Sequence, residues 1–206
     1  MNIRDDHLDV IKEMINVGVG RAASALNQMV DSRIHLRVPE VRVLSTEEFL
    51  AELALLGRQR ISAVRMRFSG SFAGSAALLF PPASAANLVA TLAGDGADSS
   101  DLDSIRAGTL AEVGNILINS VMGSMSNFLD ERLTFSLPVY LEDNLEVICR
   151  SGGEESARPT ILLARTHFII EQLQVEGDIH LRFDLGGFDR VLQSIDALIR
   201  EESTNP

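Results

Sequence analysis

Two short stretches of the chain combine a carboxylate and a carboxamide at helical spacing. Asp9, Glu13, Asn16 and Gly20 stand 4, 3 and 4 residues apart, and Gly108, Glu112, Asn115 and Asn119 repeat that spacing. At about 100° per residue each set falls on one narrow stripe of a helix. Between the stripe positions lie apolar residues, Leu110, Val113, Leu117 and Val121 in the second set, so each stripe is expected to face outward. Asparagine is a poor choice for a helix interior, because its side chain competes for backbone hydrogen bonds. An exposed amide does offer an acceptor and two donors, enough to hold and aim a water molecule. A glutamate one turn away can pair with a lysine on a partner.

A single Glu-x-x-Asn is weak, since about 0.5 matches are expected by chance in a chain of this size. Glu202-Ser-Thr-Asn205 matches too, in a polar tail. The weight lies in the two copies on equivalent helices.

Those helices belong to a pattern that runs twice. The first copy reads as a helix from Asp6 to Val30, a strand from Arg33 to Leu44 interrupted at Pro39, and a helix from Thr46 to Leu56 capped by Ser45 or Thr46. Strands at Ser62–Phe68 and Ser71–Phe80 follow around a turn at Gly70, then a helix at Ala83–Leu92 after Pro81-Pro82. Gly94 to Ser104 is rich in Gly, Ser and Asp and reads as a solvated linker; its acids lack calcium-loop spacing. The second copy reads as a helix at Ser104–Leu129, a strand at Leu133–Tyr140, strands at Pro159–Gln174 and Gly177–Leu185 around a turn at Gly177, and a helix at Phe188–Ile199, with Glu201–Pro206 as a frayed tail. Met29 to Pro39 aligns with Phe128 to Pro138, and Gly70 is paired with Gly177. The expected architecture is α/β (α+β): one internally duplicated domain over 1–206, with halves at about 6–94 and 104–200. A central mixed or antiparallel sheet should carry the two long amphipathic helices.

The chain has 206 residues, 46% hydrophobic and 23% charged, enough for a real core. A net charge of -11 argues against nucleic acid, whose binding rests on Lys and Arg. The single cysteine, Cys149, excludes an internal disulfide and reads as a quiet apolar residue; it fits a reducing cytosol. No apolar run approaches a membrane span, and the first residues carry no apolar signal core, so a cytoplasmic protein is expected. His7, His35, His167 and His180 show no ligand spacing and read as surface or strand residues, and Met122 and Met125 as core.

With these residues in place, the sequence resembles the CheC/CheX/FliY family of chemotaxis phosphatases, and CheC-type members most. The family pattern, Asp/Ser-x3-Glu-x2-Asn, stands as Asp9-Val-Ile-Lys-Glu13-Met-Ile-Asn16, with Leu26 downstream. The second copy stands as Gly108-Thr-Leu-Ala-Glu112-Val-Gly-Asn115, with Gly108 where the family has Asp or Ser. Leu36-Arg-Val-Pro39 and the Gly70-to-Phe80 strand running into Pro81-Pro82 are similar as well. The resemblance implies hydrolysis of the aspartyl phosphate on a CheY-type response regulator. It implies that Asn16 and Asn115 position the attacking water, that Glu13 and Glu112 contact the receiver's lysine, and that Asp9 supports the first site. It implies no cofactor or metal of the chain's own, with Mg2+ on the receiver, and CheD as a further partner. The alternative expectation is a non-catalytic adaptor, or a flagellar-switch-like module, that binds a phospho-receiver or CheD.

Overall fold

A computed structural model describes residues 3–30, 34–36, 40–45, 47–48, 51, 60–93, 102–150, 161–170, 175–184 and 186–204. Helix α1 spans Asp5–Val30. Strands β1 (Ile34–Leu36) and β2 (Glu40–Leu44) follow, then β3 (Arg60–Gly70), β4 (Gly74–Phe80) and helix α2 (Pro82–Ala93). The second half runs α3 (Leu102–Phe128), β5 (Leu133–Phe135), β6 (Val139–Asn144), α4 (Leu145–Arg150), β7 (Ile161–Ile170), β8 (Val175–Phe183) and α5 (Gly187–Thr204).

The eight strands form one sheet in the order β1-β7-β8-β4-β3-β5, with β2 also on β7 and β6 also on β3. Every pairing is antiparallel. The short strands after α1 therefore pair with a strand of the second half, and those after α3 with a strand of the first half. Each half supplies the other's outer strands, so the two are joined by ladder hydrogen bonds as well as by the central β4–β8 pairing.

Alternation along the strands sorts the two faces. Val64, Met66 and Phe68 of β3, Ala76, Leu78 and Phe80 of β4, and Ile179, Leu181 and Phe183 of β8 face the helices. There they meet Ile11, Met14, Ile15 and Val19 of α1, Leu110, Val113, Leu117 and Val121 of α3, Leu88 of α2 and Val191 of α5. Full burial of each such side chain is worth about 2 kcal/mol, so this layer dominates stability. Met122 and Met125 belong to it. The other face carries a smaller cluster of Leu44, Ala63, Leu79, Leu145 and Ile148.

Several expectations are refined or corrected. The first half's early strand and its counterpart Leu133–Tyr140 each split in two, and the second breaks at Ser136–Pro138, just before β6. Ser45 is the cap of the helix expected at Thr46–Leu56: its N–H donates to Glu48 Oε2 (2.8 Å) and its Oγ accepts from Glu48 N (3.2 Å), a capping box. Most of that helix, the linker residues 94–101 and Pro39 lie outside the described residues, as does the Cys149 side chain. The expected turn at Gly177 is wrong. Gly177 lies inside β8, opposite Phe168, just as Gly74 lies opposite Phe68. The counterpart of Gly177 is thus Gly74, not Gly70. Gly70 ends β3 with φ 149°, a region that favours glycine, and a Cβ there would strike the carbonyl of Arg132. Glu201–Thr204 are not frayed but continue α5. Helix α4 was not expected; Asn144 caps it by accepting from Val147 N at 3.0 Å.

Candidate functional site

The amphipathic pattern of α1 decides where its stripe points. Ile11, Met14, Ile15 and Val19 are buried against the sheet, which leaves Asp9, Glu13, Asn16 and Gly20 exposed. On α3, burial of Leu110, Val113, Leu117 and Val121 leaves Gly108 and Glu112 exposed and Asn115 and Asn119 half-buried. The outward stripes expected from spacing are therefore present on both helices. The helices touch each other through Gly18: a Cβ there would lie 2.6 Å from Val121 Cα. Arg21 Nη1 also donates to Ser124 Oγ at 3.4 Å. Both stripes thus lie on one helical layer, over one sheet.

Within that frame the stripes differ. Asp9 pairs with Lys12 at 3.5 Å, an exposed contact within one turn. The Asn16 side chain has no hydrogen bond among the described residues. Asn119 Nδ2 instead donates to Asn115 Oδ1 at 2.7 Å, a link that the spacing alone did not show. The signal was in the sequence: Asn119 lies one helical turn after Asn115, whereas the same place in α1 is Gly20.

The N-terminal ends of the two helices are also tied differently. His7, read from sequence as a surface or strand residue, is instead buried on α1. Its Nδ1 accepts from Arg4 N at 3.3 Å, which leaves Nε2–H to donate to Asp196 Oδ1 of α5 at 2.9 Å. Arg4 Nη2 reaches the same oxygen at 2.6 Å. The His7 and Arg4 bonds hold the Asp196 carboxyl down at about 2. Ninety-nine residues after His7 stands Arg106. It donates to Ser62 Oγ at 3.2 Å and lies 3.9 Å from Glu142, while Tyr140 bonds Glu142 at 2.9 Å. His35, His167 and His180 lie in strands, as expected.

Among the described residues no three His, Cys, Asp or Glu side chains converge as metal ligands, and no helix is long and apolar enough to cross a membrane. A cavity of about 230 Å³ opens between Gly70–Ala73 and Asp184–Arg190 and shares no residue with either stripe. Its Arg190 is spent on Ser71 O at 2.8 Å, and its Asp184 on Arg67 at 3.4 Å. The stripes are instead open helix surface, a shape that meets another macromolecule more readily than it encloses a small one.

The architecture matches known proteins. No family model matches the chain. The chain is 27% identical over 153 residues to the CheY-P phosphatase CheC of Bacillus subtilis (strain 168), covering 73% of each. FliY of Thermotoga maritima superposes with a TM-score of 0.73 at 17% identity, over 96% of this chain and 99% of that one. CheX of Borrelia burgdorferi, solved in complex with CheY, BeF3 and Mg2+, superposes with a TM-score of 0.57 at 16% identity, over 84% and 99%. This is the fold of the CheC/CheX/FliY family. The resemblance read from the Glu-x-x-Asn helices and the strands after them thus extends to the whole sheet.

Proposed function

We propose that this chain removes the phosphoryl group from the aspartyl phosphate of a CheY-type response regulator, ending its signal. The observation that carries the proposal is the pair of outward Glu/Asn stripes, Glu13 with Asn16 and Glu112 with Asn115, on the two long helices of a CheC-like fold. In this reading α1 or α3 lies over the receiver's active site. Asn16 or Asn115 accepts a hydrogen bond from a water and holds its lone pair in line with phosphorus. The water oxygen bonds to phosphorus, the acyl P–O bond breaks, and inorganic phosphate and the free aspartate leave. Glu13 or Glu112 pairs with the receiver's lysine and fixes the approach. Mg2+ sits on the receiver and neutralises phosphoryl charge. Phosphoryl transfer depends mainly on placement and charge, so a helix with no nucleophile of its own suffices. The same reading takes the chain as one cytoplasmic domain of two duplicated halves, 6–94 and 104–200.

The test is phosphate release from a phosphorylated CheY-type receiver. Asn16→Ala with Asn115→Ala together should lower the acceleration about a hundredfold, the scale of a misplaced reacting group. A double variant as fast as wild type would sink the proposal.

A second reading is supported by the near-complete superposition on FliY: a flagellar-switch-like module that binds a phospho-receiver, or CheD, without catalysis. It requires saturable receiver binding with no phosphate release by the wild-type chain.

A further inference from the structure

We infer that Asn119 is a positioning residue for Asn115, and that it makes the α3 site the faster of the two; this rests on the phosphatase reading above. In a helix the side chain of residue i+4 leans back over residue i. That direction brings Asn119 Nδ2 to Asn115 Oδ1 at 2.7 Å, with both residues half-buried. The terminal torsion of asparagine is broad, so a free amide turns about it. One hydrogen bond on Oδ1 fixes the amide plane before any partner arrives. It consumes one lone pair of Oδ1 and leaves the other for water, while the Asn115 Nδ2 donors remain available to a phosphoryl oxygen. The ordering of the amide is then complete in the free protein and is not charged to the reaction.

The α1 site lacks this device. Gly20 occupies the position of Asn119, and Asn16 is exposed with no hydrogen bond among the described residues. A Cβ added at Gly20 meets nothing within 4 Å, so the device can be grafted there.

The experiment isolates each site and measures steady-state dephosphorylation of a phosphorylated CheY-type receiver, separating kcat from KM. In an Asn16→Ala background, which leaves only α3, Asn119→Ala should lower kcat about fivefold with KM nearly unchanged, as expected when the ordering of one amide side chain falls on the reaction instead of on the free protein. Alanine is the best helix former, so the fold is retained. In an Asn115→Ala background, which leaves only α1, Gly20→Asn should raise kcat by a similar factor. The inference is overturned if Asn119→Ala leaves kcat unchanged, if it changes KM alone, or if Gly20→Asn gives no gain. Failure of the phosphatase reading shows separately, as full activity in the Asn16→Ala/Asn115→Ala protein or none in the wild type.

Discussion

In α1 the close-packing glycine is Gly18, set against the backbone of Val121. In α3 it is Gly114, set against the side chain of Val64, whose Cβ would lie 2.6 Å from an added methyl. The helix carrying the exposed, unrestrained amide thus leans on its sister helix, while the helix carrying the anchored amide sits down into the sheet. Yet the counterparts of these glycines, Leu117 and Ile15, are buried core residues. Two helices of similar pattern are seated by different contacts, while the outward stripe keeps the same spacing on both.

The largest effect is expected where backbone meets backbone. Gly18→Val has no flexible neighbour to displace, since Val121 Cα, Ser120 O and Val121 O all lie within 3.1 Å of the added Cβ. The helices must separate, at a cost of about 2 to 3 kcal/mol. Gly114→Val meets Val64 Cγ1 and, at 2.6 Å, Val64 Cβ, and turning that buried valine does not move its Cβ, so the change should cost a similar amount. Gly20→Ala, two residues from Gly18 but in open space, should stabilise by up to about 1 kcal/mol. Urea midpoints measure all three. Equal midpoints for the Gly18 and Gly20 variants would mean that α1 does not rest on α3 in this way.

Next comes the asymmetry of the sites. Asn115→Ala should remove more of the total phosphatase rate than Asn16→Ala, by about fivefold in the rate that remains, because the anchored amide is the one lost. Equal residual rates would make the stripes equivalent despite Asn119.

The stripes were legible from sequence because helical period is a local property, and the polar positions fall between buried ones such as Ile11, Met14, Leu110 and Val113. Strand positions were legible for the same reason. Strand partners were not. Nothing local says that Ile34 pairs with Ile170, or Leu133 with Gly70. Gly177 misled because glycine signals a turn, while here it serves a strand interior opposite Phe168. Helix α4, with six residues, is too short for a period to show, and only Asn144 marks it. His7 misled because its partner, Asp196, lies 189 residues away.

That His7 contact gives a pH test of the two N-terminal ties. The Asp196 carboxyl, ordinarily near 3.8, is held at about 2 in the folded protein, first by His7 and then by Arg4. A carboxylate lowered by folding contributes stability above its unfolded value and loses it as pH falls through the folded one. The α1 tie should therefore weaken between about pH 4 and pH 2. Between pH 5 and pH 2 the wild-type thermal midpoint should fall further than that of Asp196→Asn, which lacks this carboxylate. Parallel curves would remove the tie from the account.

The smallest effect is expected at the position where α3 departs from the family pattern. Asp9 stands on α1 with its side chain 75% exposed, paired among the described residues with Lys12 at 3.5 Å. An exposed pair of this kind is worth little, and nothing in its geometry reaches Asn16. Its counterpart Gly108 is exposed, and a Cβ added there meets nothing within 4 Å. Gly108→Asp should gain a few tenths of a kcal/mol of helix stability and change the α3 rate, measured in the Asn16→Ala background, by less than about twofold. A tenfold gain would reverse the ranking of the two helices. It would mean that the leading acid, which α1 has and α3 lacks, governs the chemistry more than the amide link, which α3 has and α1 lacks.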